Sequence, residues 1–298
     1  VPADGEAIVQ IRAAALKPVD KQMASGSHYA SPRRLPVVCG MDGVGVLDDG
    51  ARVFFGGARA PYGAMAERAV VRRAFCFPVP EGLDDFTAAA IPNPGVSAWL
   101  TLAHRAKLAA GENVLILGAT GVTGKLAVKI AKILGAARVV AAGRNPAKLN
   151  SLRENGADAI IPLDAPAQEL TDAFIREAGQ SGFQVVVDYL WGAPTEAFLA
   201  AITRKEFAMI TSETRLVQVG ESAGPTISLP AAVLRSTPLT IMGTAGLPPR
   251  EILAKALQKV MSLASSGELR VETERVALAE IESAWERDPD GRRIVVVP

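Results

Sequence analysis

The sequence predicts an α/β protein of two domains, a β-rich domain interrupted in sequence by a doubly wound parallel sheet, and three observations predict it. Residues 1 to 93 carry short runs of strand-forming residues broken by Pro and Gly. From Pro94 the chain alternates apolar strand runs with amphipathic helices, the pattern of βαβ units in a parallel sheet. Residues 266 to 298 return to short strand-like runs, so 1–93 with 266–298 form one expected domain and 94–265 the other. At 298 residues the chain is long enough to bury two modest cores.

In the first domain, strand runs are expected at Ala7 to Ala13, Gly43 to Leu47, Ala51 to Phe55 and Ala66 to Val71. The second offers Asn113 to Leu117, Arg138 to Ala142, Ala159 to Leu163, Phe183 to Asp188, Arg215 to Val219 and Leu239 to Gly243. A complete doubly wound dinucleotide fold needs about six strands, and that is how many appear. A helix from Pro249 to Ala264, a short helix from Ala279 to Glu286 and a strand from Arg293 to Val297 complete the chain, which shows no internal repeat.

Apolar residues make up 49% and charged residues 21% of the chain, the balance of a folded soluble protein. The net charge of +1 gives no electrostatic reason to expect nucleic acid or an anionic membrane as partner. Two cysteines, Cys39 and Cys76, are too few for a disulfide framework or a four-cysteine zinc lobe, and a reducing cytoplasm fits them. No run reaches the roughly 18 apolar residues of a membrane helix, and no signal peptide is recognisable. The chain opens on Val1 rather than Met, so a segment preceding it is expected.

The strongest local signal is Val114-Leu115-Ile116-Leu117-Gly118-Ala119-Thr120-Gly121-Val122-Thr123-Gly124, followed by Leu126-Ala127, Ile130-Ala131 and Ile133-Leu134 at helical spacing. A buried strand runs into a tight turn and then a helix. Gly118 and Gly121 let the backbone turn and approach a pyrophosphate, Gly124 lets the helix pack on the strand, and amides at the helix start face the phosphates. Ala119, Thr120, Gly121, Val122 and Thr123 are therefore cofactor-binding candidates. The next strand ends at Gly143-Arg144-Asn145-Pro146-Ala147-Lys148, where an NAD-specific fold places an acid to hold the ribose diol. No acid occurs from Asn113 to Arg153. The Arg144 fork and the more mobile Lys148 suit the 2′-phosphate of NADPH, with Asn145 between them. Cations at a helix start otherwise oppose its dipole.

With that turn, several N-terminal segments resemble the medium-chain dehydrogenase/reductase superfamily, and within it the zinc-independent quinone oxidoreductase branch that includes zeta-crystallin. They are Gly5-Glu6-Ala7-Ile8-Val9, Leu16-Lys17-Pro18-Val19-Asp20, Ser25-Gly26 before Tyr29, Gly40-Met41-Asp42-Gly43-Val44-Gly45, Ala66-Glu67, Ala88-Ala89-Ala90 and Gly95-Val96-Ser97-Ala98-Trp99. Gly291-Arg292-Arg293-Ile294-Val295-Val296 resembles the family's closing strand. The resemblance covers nearly the whole chain and implies a GroES-like β-rich catalytic domain with a Rossmann domain. Zinc-using relatives place Cys, His with adjacent Glu, and Cys where this chain has Lys17, Met41 with Asp42, and Asn93, so no metal is expected. Without a metal to polarise an isolated ketone, a conjugated acceptor is favoured: hydride transfer from NADPH to a quinone or α,β-unsaturated carbonyl, the protein supplying proximity and orientation.

The resemblance also assigns residues. Tyr29 falls where an aromatic lines the substrate cleft, and its hydroxyl is a candidate to bond a carbonyl oxygen. Lys17 is read either as a residue beside the nicotinamide or as a solvated lysine at a strand end. Asp20 would brace a loop and Asp42 would take a structural hydrogen bond. Ser97 falls where a hydroxyl meets the nicotinamide ribose, or caps a helix start. Gly220, Glu221, Ser222, Gly243 and Thr244 follow strand carboxyl ends, the ligand-binding edge of such sheets. Neither His has a second ligand at metal spacing, and both cysteines are read as small buried groups. Two rival readings are a non-catalytic NADPH-binding protein and a short-chain-type carbonyl reductase. The second is opposed by the roughly 110 residues before the turn and by the missing Tyr-x-x-x-Lys pair. A homodimer is expected through the edge strand near Leu239 to Gly243.

Overall fold

The computed structural model describes residues 1–203, 212–244, 246, 248–288 and 290–298. The first part of the chain runs β1 (Glu6–Ala15), α1 (Pro18–Ser25), β2 (Asp42–Leu47), β3 (Arg52–Gly56), β4 (Arg68–Arg72), β5 (Cys76–Pro78), α2 (Asp85–Ala90) and α3 (Pro92–Trp99). A π-helical turn, Leu100–Arg105, continues α3. Five βα steps and a sixth strand follow: β6 (Asn113–Leu117), α4 (Val122–Ile133), β7 (Arg138–Gly143), α5 (Pro146–Ser151), β8 (Ala159–Pro162), α6 (Ala167–Ala178), β9 (Val185–Asp188), α7 (Gly192–Ile202), β10 (Thr214–Gln218), α8 (Ala231–Ser236) and β11 (Leu239–Gly243). The chain closes with α9 (Arg250–Ser265), β12 (Thr273–Ala277), α10 (Ile281–Trp285) and β13 (Arg293–Val297).

The chain divides into two compact units, 1–96 with 249–298, and 97–248. In the first, the strands are ordered β12-β13-β1-β2-β3-β5, with β4 paired to β1. Side chains of β1 alternate between core and solvent, so Ala7, Val9 and Ile11 enter a core with Phe55, Val71 and Ile294. The closing strand β13 runs antiparallel to β1, with Ala14 opposite Val296. The boundary differs from the sequence reading, which put the helix after Pro249 in the sheet domain. It packs with the β-rich unit because the Arg250 guanidinium donates to the Ala74 carbonyl at 2.7 Å and lies over the Phe77 ring, while Val260 presses on Gly95.

In the second unit the order is β11-β10-β9-β6-β7-β8, every pairing parallel. The order reverses between β6 and β9, so the carboxyl ends of all six strands share one edge with a crevice at that switch point. Strands such as Val185–Asp188 are buried throughout, as a sheet covered on both faces requires. On one face Phe174 of α6 meets Phe198 of α7 edge-on, ring centroids 5.8 Å apart, with Val186, Leu115 and Leu216 beneath them. Phe198→Ala should lower the unfolding free energy by about 3–5 kcal/mol, read from urea denaturation, because this fully buried ring leaves a cavity the sheet cannot collapse into.

Candidate functional site

At the carboxyl end of β6 the chain reverses through Gly118, which holds φ +86°, and its amide and that of Ala119 both donate to the Ala142 carbonyl at the end of β7, each at 2.9 Å. The turn is thereby tied to the neighbouring strand. A Cβ at Gly124 would overlap the Gly118 carbonyl oxygen, so α4 can start this close to the turn only with glycine there. Thr120 packs its side chain on Gly143. Gly121 caps α4 with extended backbone and no side-chain bond, and Lys125 is the first residue whose amide closes back onto it. The amides of Val122, Thr123 and Gly124 therefore have no intrahelical acceptor. A Cβ on Gly121 would meet only the Gly118 oxygen at 3.7 Å, so the space beside this exposed glycine is open. An amide-lined, side-chain-free turn at a helix start fits a pyrophosphate.

Arg144 is exposed directly beyond β7. Asn145 caps α5, its Oδ1 accepting from the Lys148 amide at 3.0 Å, which starts a helix beside Arg144. Beyond β10, Val219 and Gly220 donate to the Asp188 carbonyl, Ser222 Oγ donates to the Tyr189 carbonyl at 3.1 Å, and Glu221 is exposed. Beyond β11, Gly243 accepts from Arg105 Nε at 2.9 Å and Thr244 is exposed. Ala119 to Thr123, Arg144, Asn145, Lys148, Gly220 to Ser222, Gly243 and Thr244 thus share one edge across β7, β6, β9, β10 and β11, four strand spacings or roughly 19 Å. Ser97 lies in the second turn of α3, so its capping role does not hold.

The sequence reading missed the turn after β9. Asp188 is fully buried; its Oδ1 accepts from the amides of Leu190 and Trp191, at 2.8 and 2.9 Å, and its Oδ2 accepts from Thr195 Oγ1. These bonds hold Trp191 at φ 57°, ψ −163°, a conformation that a side chain strongly disfavours. An Asp at a strand end followed by Thr seven residues on was the available signal.

In the β-rich unit, Lys17 is 2% exposed, so it is not a solvated lysine. Its ammonium donates to the Ala15 carbonyl at 2.9 Å and meets Asp42 Oδ1 at 3.1 Å and Asp20 Oδ2 at 3.2 Å. Asn93 Nδ2 donates to Asp42 Oδ2 at 2.8 Å, and Asp20 also accepts from the amides of Lys17 and Met41. Asp20 and Asp42 hold the bracing and structural roles expected of them. Arg293 stands beside this cluster, its Nη1 donating to the Leu16 carbonyl. A divalent cation does not fit this centre, because an ammonium already bridges the two carboxylates and Lys17 and Asn93 both act as donors. Among the described residues no three His, Cys, Asp or Glu are grouped to hold a metal. Tyr29 is 94% exposed and stacks on His28, centroids 4.2 Å apart. The cysteines are half-buried rather than buried, and burial raises both thiols, which opposes thiolate chemistry.

Burial pushes Asp188 above the ordinary value near 3.8, against the bonds from Thr195, Trp191 and Leu190 that favour its charged form. A raised folded pKa contributes stability that is present below the unfolded value and lost as pH rises through the folded one. Asp188→Asn keeps both amide bonds and lacks that titration. Urea unfolding across pH 3 to 8, about the span in which carboxylates titrate, should show the wild-type advantage over the variant shrinking as pH rises.

A protein-family profile described as zinc-binding dehydrogenase matches residues 122–263. Quinone oxidoreductase of Sus scrofa is 30% identical over 200 residues, 64% of this chain and 59% of that protein. Quinone oxidoreductase-like protein 2 of Bos taurus is 27% identical over 231 residues, 74% of this chain and 62% of that protein. The match thus spans less than two thirds of these curated relatives. Among solved structures, the quinone oxidoreductase from Thermus thermophilus, described together with its NADPH complex, superposes with a TM-score of 0.79 at 27% identity, covering 100% of this chain and 93% of that one.

Proposed function

We propose that this chain belongs to the quinone oxidoreductase branch of the medium-chain dehydrogenase/reductase superfamily and reduces quinones or α,β-unsaturated carbonyls with NADPH, by direct hydride transfer and without a metal. The observation that carries the reading is the meeting, on one sheet edge, of amides at the start of α4 without an intrahelical acceptor and a guanidinium at the end of β7, on a stretch that lacks any acid from Asn113 to Arg153.

A bound NADPH supplies the hydride. The Val122, Thr123 and Gly124 amides take the pyrophosphate, Ala119 and Thr120 shape the floor, and Gly121 keeps the approach open. Arg144 takes the 2′-phosphate through its planar fork, and the Asn145 cap fixes the backbone beside it. Gly220 to Ser222 and Gly243 to Thr244 line the same edge, and Ser97 contributes a hydroxyl toward the nicotinamide ribose. Tyr29 donates its phenolic proton in a hydrogen bond to the acceptor's carbonyl oxygen. Lys17 acts as a positioning residue: its ammonium locks β1, α1 and β2, and Asp20 then fixes Met41 at the end of the loop that carries Tyr29. The ammonium held between Asp20 and Asp42 supports the metal-free reading, and a conjugated acceptor needs no Lewis acid because its π-system spreads the incoming charge. The protein works in the cytoplasm as a homodimer, two copies joining at β11, the edge strand of the parallel sheet.

NADPH oxidation that depends on added quinone or enone supports the reading, whereas tight binding without turnover across a broad acceptor panel leaves a binding protein only. Arg144→Gln should weaken NADPH about 10- to 100-fold while changing NADH affinity less than about twofold, both by fluorescence titration. Sedimentation at micromolar protein should give a dimer, and a monomer alone rejects the β11 interface.

A further inference from the structure

Tyr189 follows β9 at the carboxyl edge of the parallel sheet. Its amide donates to the Leu117 carbonyl at 3.1 Å, and its Cβ lies 3.1 Å from where a Cβ on Gly118 would stand, so it borders the glycine turn directly. Strand alternation fixes its side. Val186 packs with Phe174 and Phe198, and Asp188 reaches Thr195 on α7, so Tyr189 follows in the opposite parity, away from α6 and α7, and the π-helical turn contacts β9. Its hydroxyl is buried with no hydrogen-bond partner among the described residues. Buried tyrosine hydroxyls ordinarily find one, and a phenylalanine would fill the same space without the unmet donor. Thr101 Oγ1, in the π-helical turn, is a second buried hydroxyl without a partner among the described residues.

The turn that carries Tyr189 is strained rather than relaxed. Trp191 is held at φ 57° by the Asp188 carboxylate, a conformation that persists only where surrounding bonds enforce it and that recurs at ligand-gripping sites. We propose that Tyr189 is a dinucleotide-gripping residue: when NADPH seats on the glycine turn, the Asp188–Gly192 turn shifts and the freed phenol donates a hydrogen bond to an oxygen of the ribose–pyrophosphate stretch. The inference rests on the function proposed above and adds to it a contact from the strand after the switch point.

Tyr189→Phe tests it by two readouts on the intact chain, NADPH affinity by fluorescence titration and the thermal midpoint of the ligand-free protein. The expected result is a dissociation constant raised about five- to tenfold with a ligand-free midpoint unchanged or higher, because the variant loses a bond made only to ligand and sheds an unmet donor. Thr101→Val, which removes the other hydroxyl, should leave NADPH affinity unchanged. An affinity equal to wild type in Tyr189→Phe overturns the proposal. So does a lower ligand-free midpoint, whether or not affinity falls, since the hydroxyl would then be bonded inside the protein. A fall of affinity in both variants overturns it too, by identifying an internal water shared with Thr101. Wild-type protein that takes up no NADPH sinks the function itself, and the grip with it.

Discussion

The close approach of α4 to the end of β6 is the constraint on which the carboxyl edge depends. It exists because Gly124 has no side chain to strike the Gly118 carbonyl and because Gly118 takes a left-handed conformation that turns the chain back toward β7. Two amides bonded to Ala142 then pin the turn, and those of Val122, Thr123 and Gly124 stand without intrahelical acceptors at the positive end of a 12-residue helix. A β-carbon at position 124 would push the helix start away and separate those amides from Thr120, Arg144 and the residues after β9. The chemistry proposed for the chain needs little more from this unit than that edge, since a dinucleotide brings its own reactive carbon.

The β-rich unit answers a different problem. Two aspartates and a lysine, none more than 3% exposed, meet where β1, α1 and β2 converge, with Asn93 from α3 bonded to the same carboxylate. Removing a single partner from such a cluster leaves an uncompensated buried charge, which is far more costly than the cluster's net contribution to stability. The cluster therefore holds local geometry strictly: Asp20 ties the Met41 amide, and Met41 ends the loop that begins near Tyr29. An ammonium bridging two carboxylates leaves this cluster without a donor set suited to a divalent cation.

Much of the parallel-sheet unit was legible because its signals are local. β6 and β11 run over the residues that apolar run length indicates, and the glycine spacing forecasts the turn because each glycine has a separate steric reason. β9 starts at Val185 rather than Phe183, where the Gln184 side chain takes the Asn113 amide, and side-chain pairing of that kind leaves no periodic trace. Lys17 misled for a similar reason. A lysine at a strand end reads as solvated or catalytic until Asp20, three residues on, and Asp42, 25 residues on, are seen to enclose it. The α9 boundary was hidden because helical periodicity says which face is apolar and not which core receives it. Tyr189 and the strained Trp191 were invisible, since an unmet hydroxyl is a property of the surroundings and not of the residue.

Hydrogen–deuterium exchange with and without NADPH reads the α4 amides one by one. Ligand should slow exchange at the amides of residues 122 to 124 first, with further protection at 143–145 and 188–191. Protection absent from the start of α4, with the ligand demonstrably bound, would contradict the pyrophosphate seat proposed there.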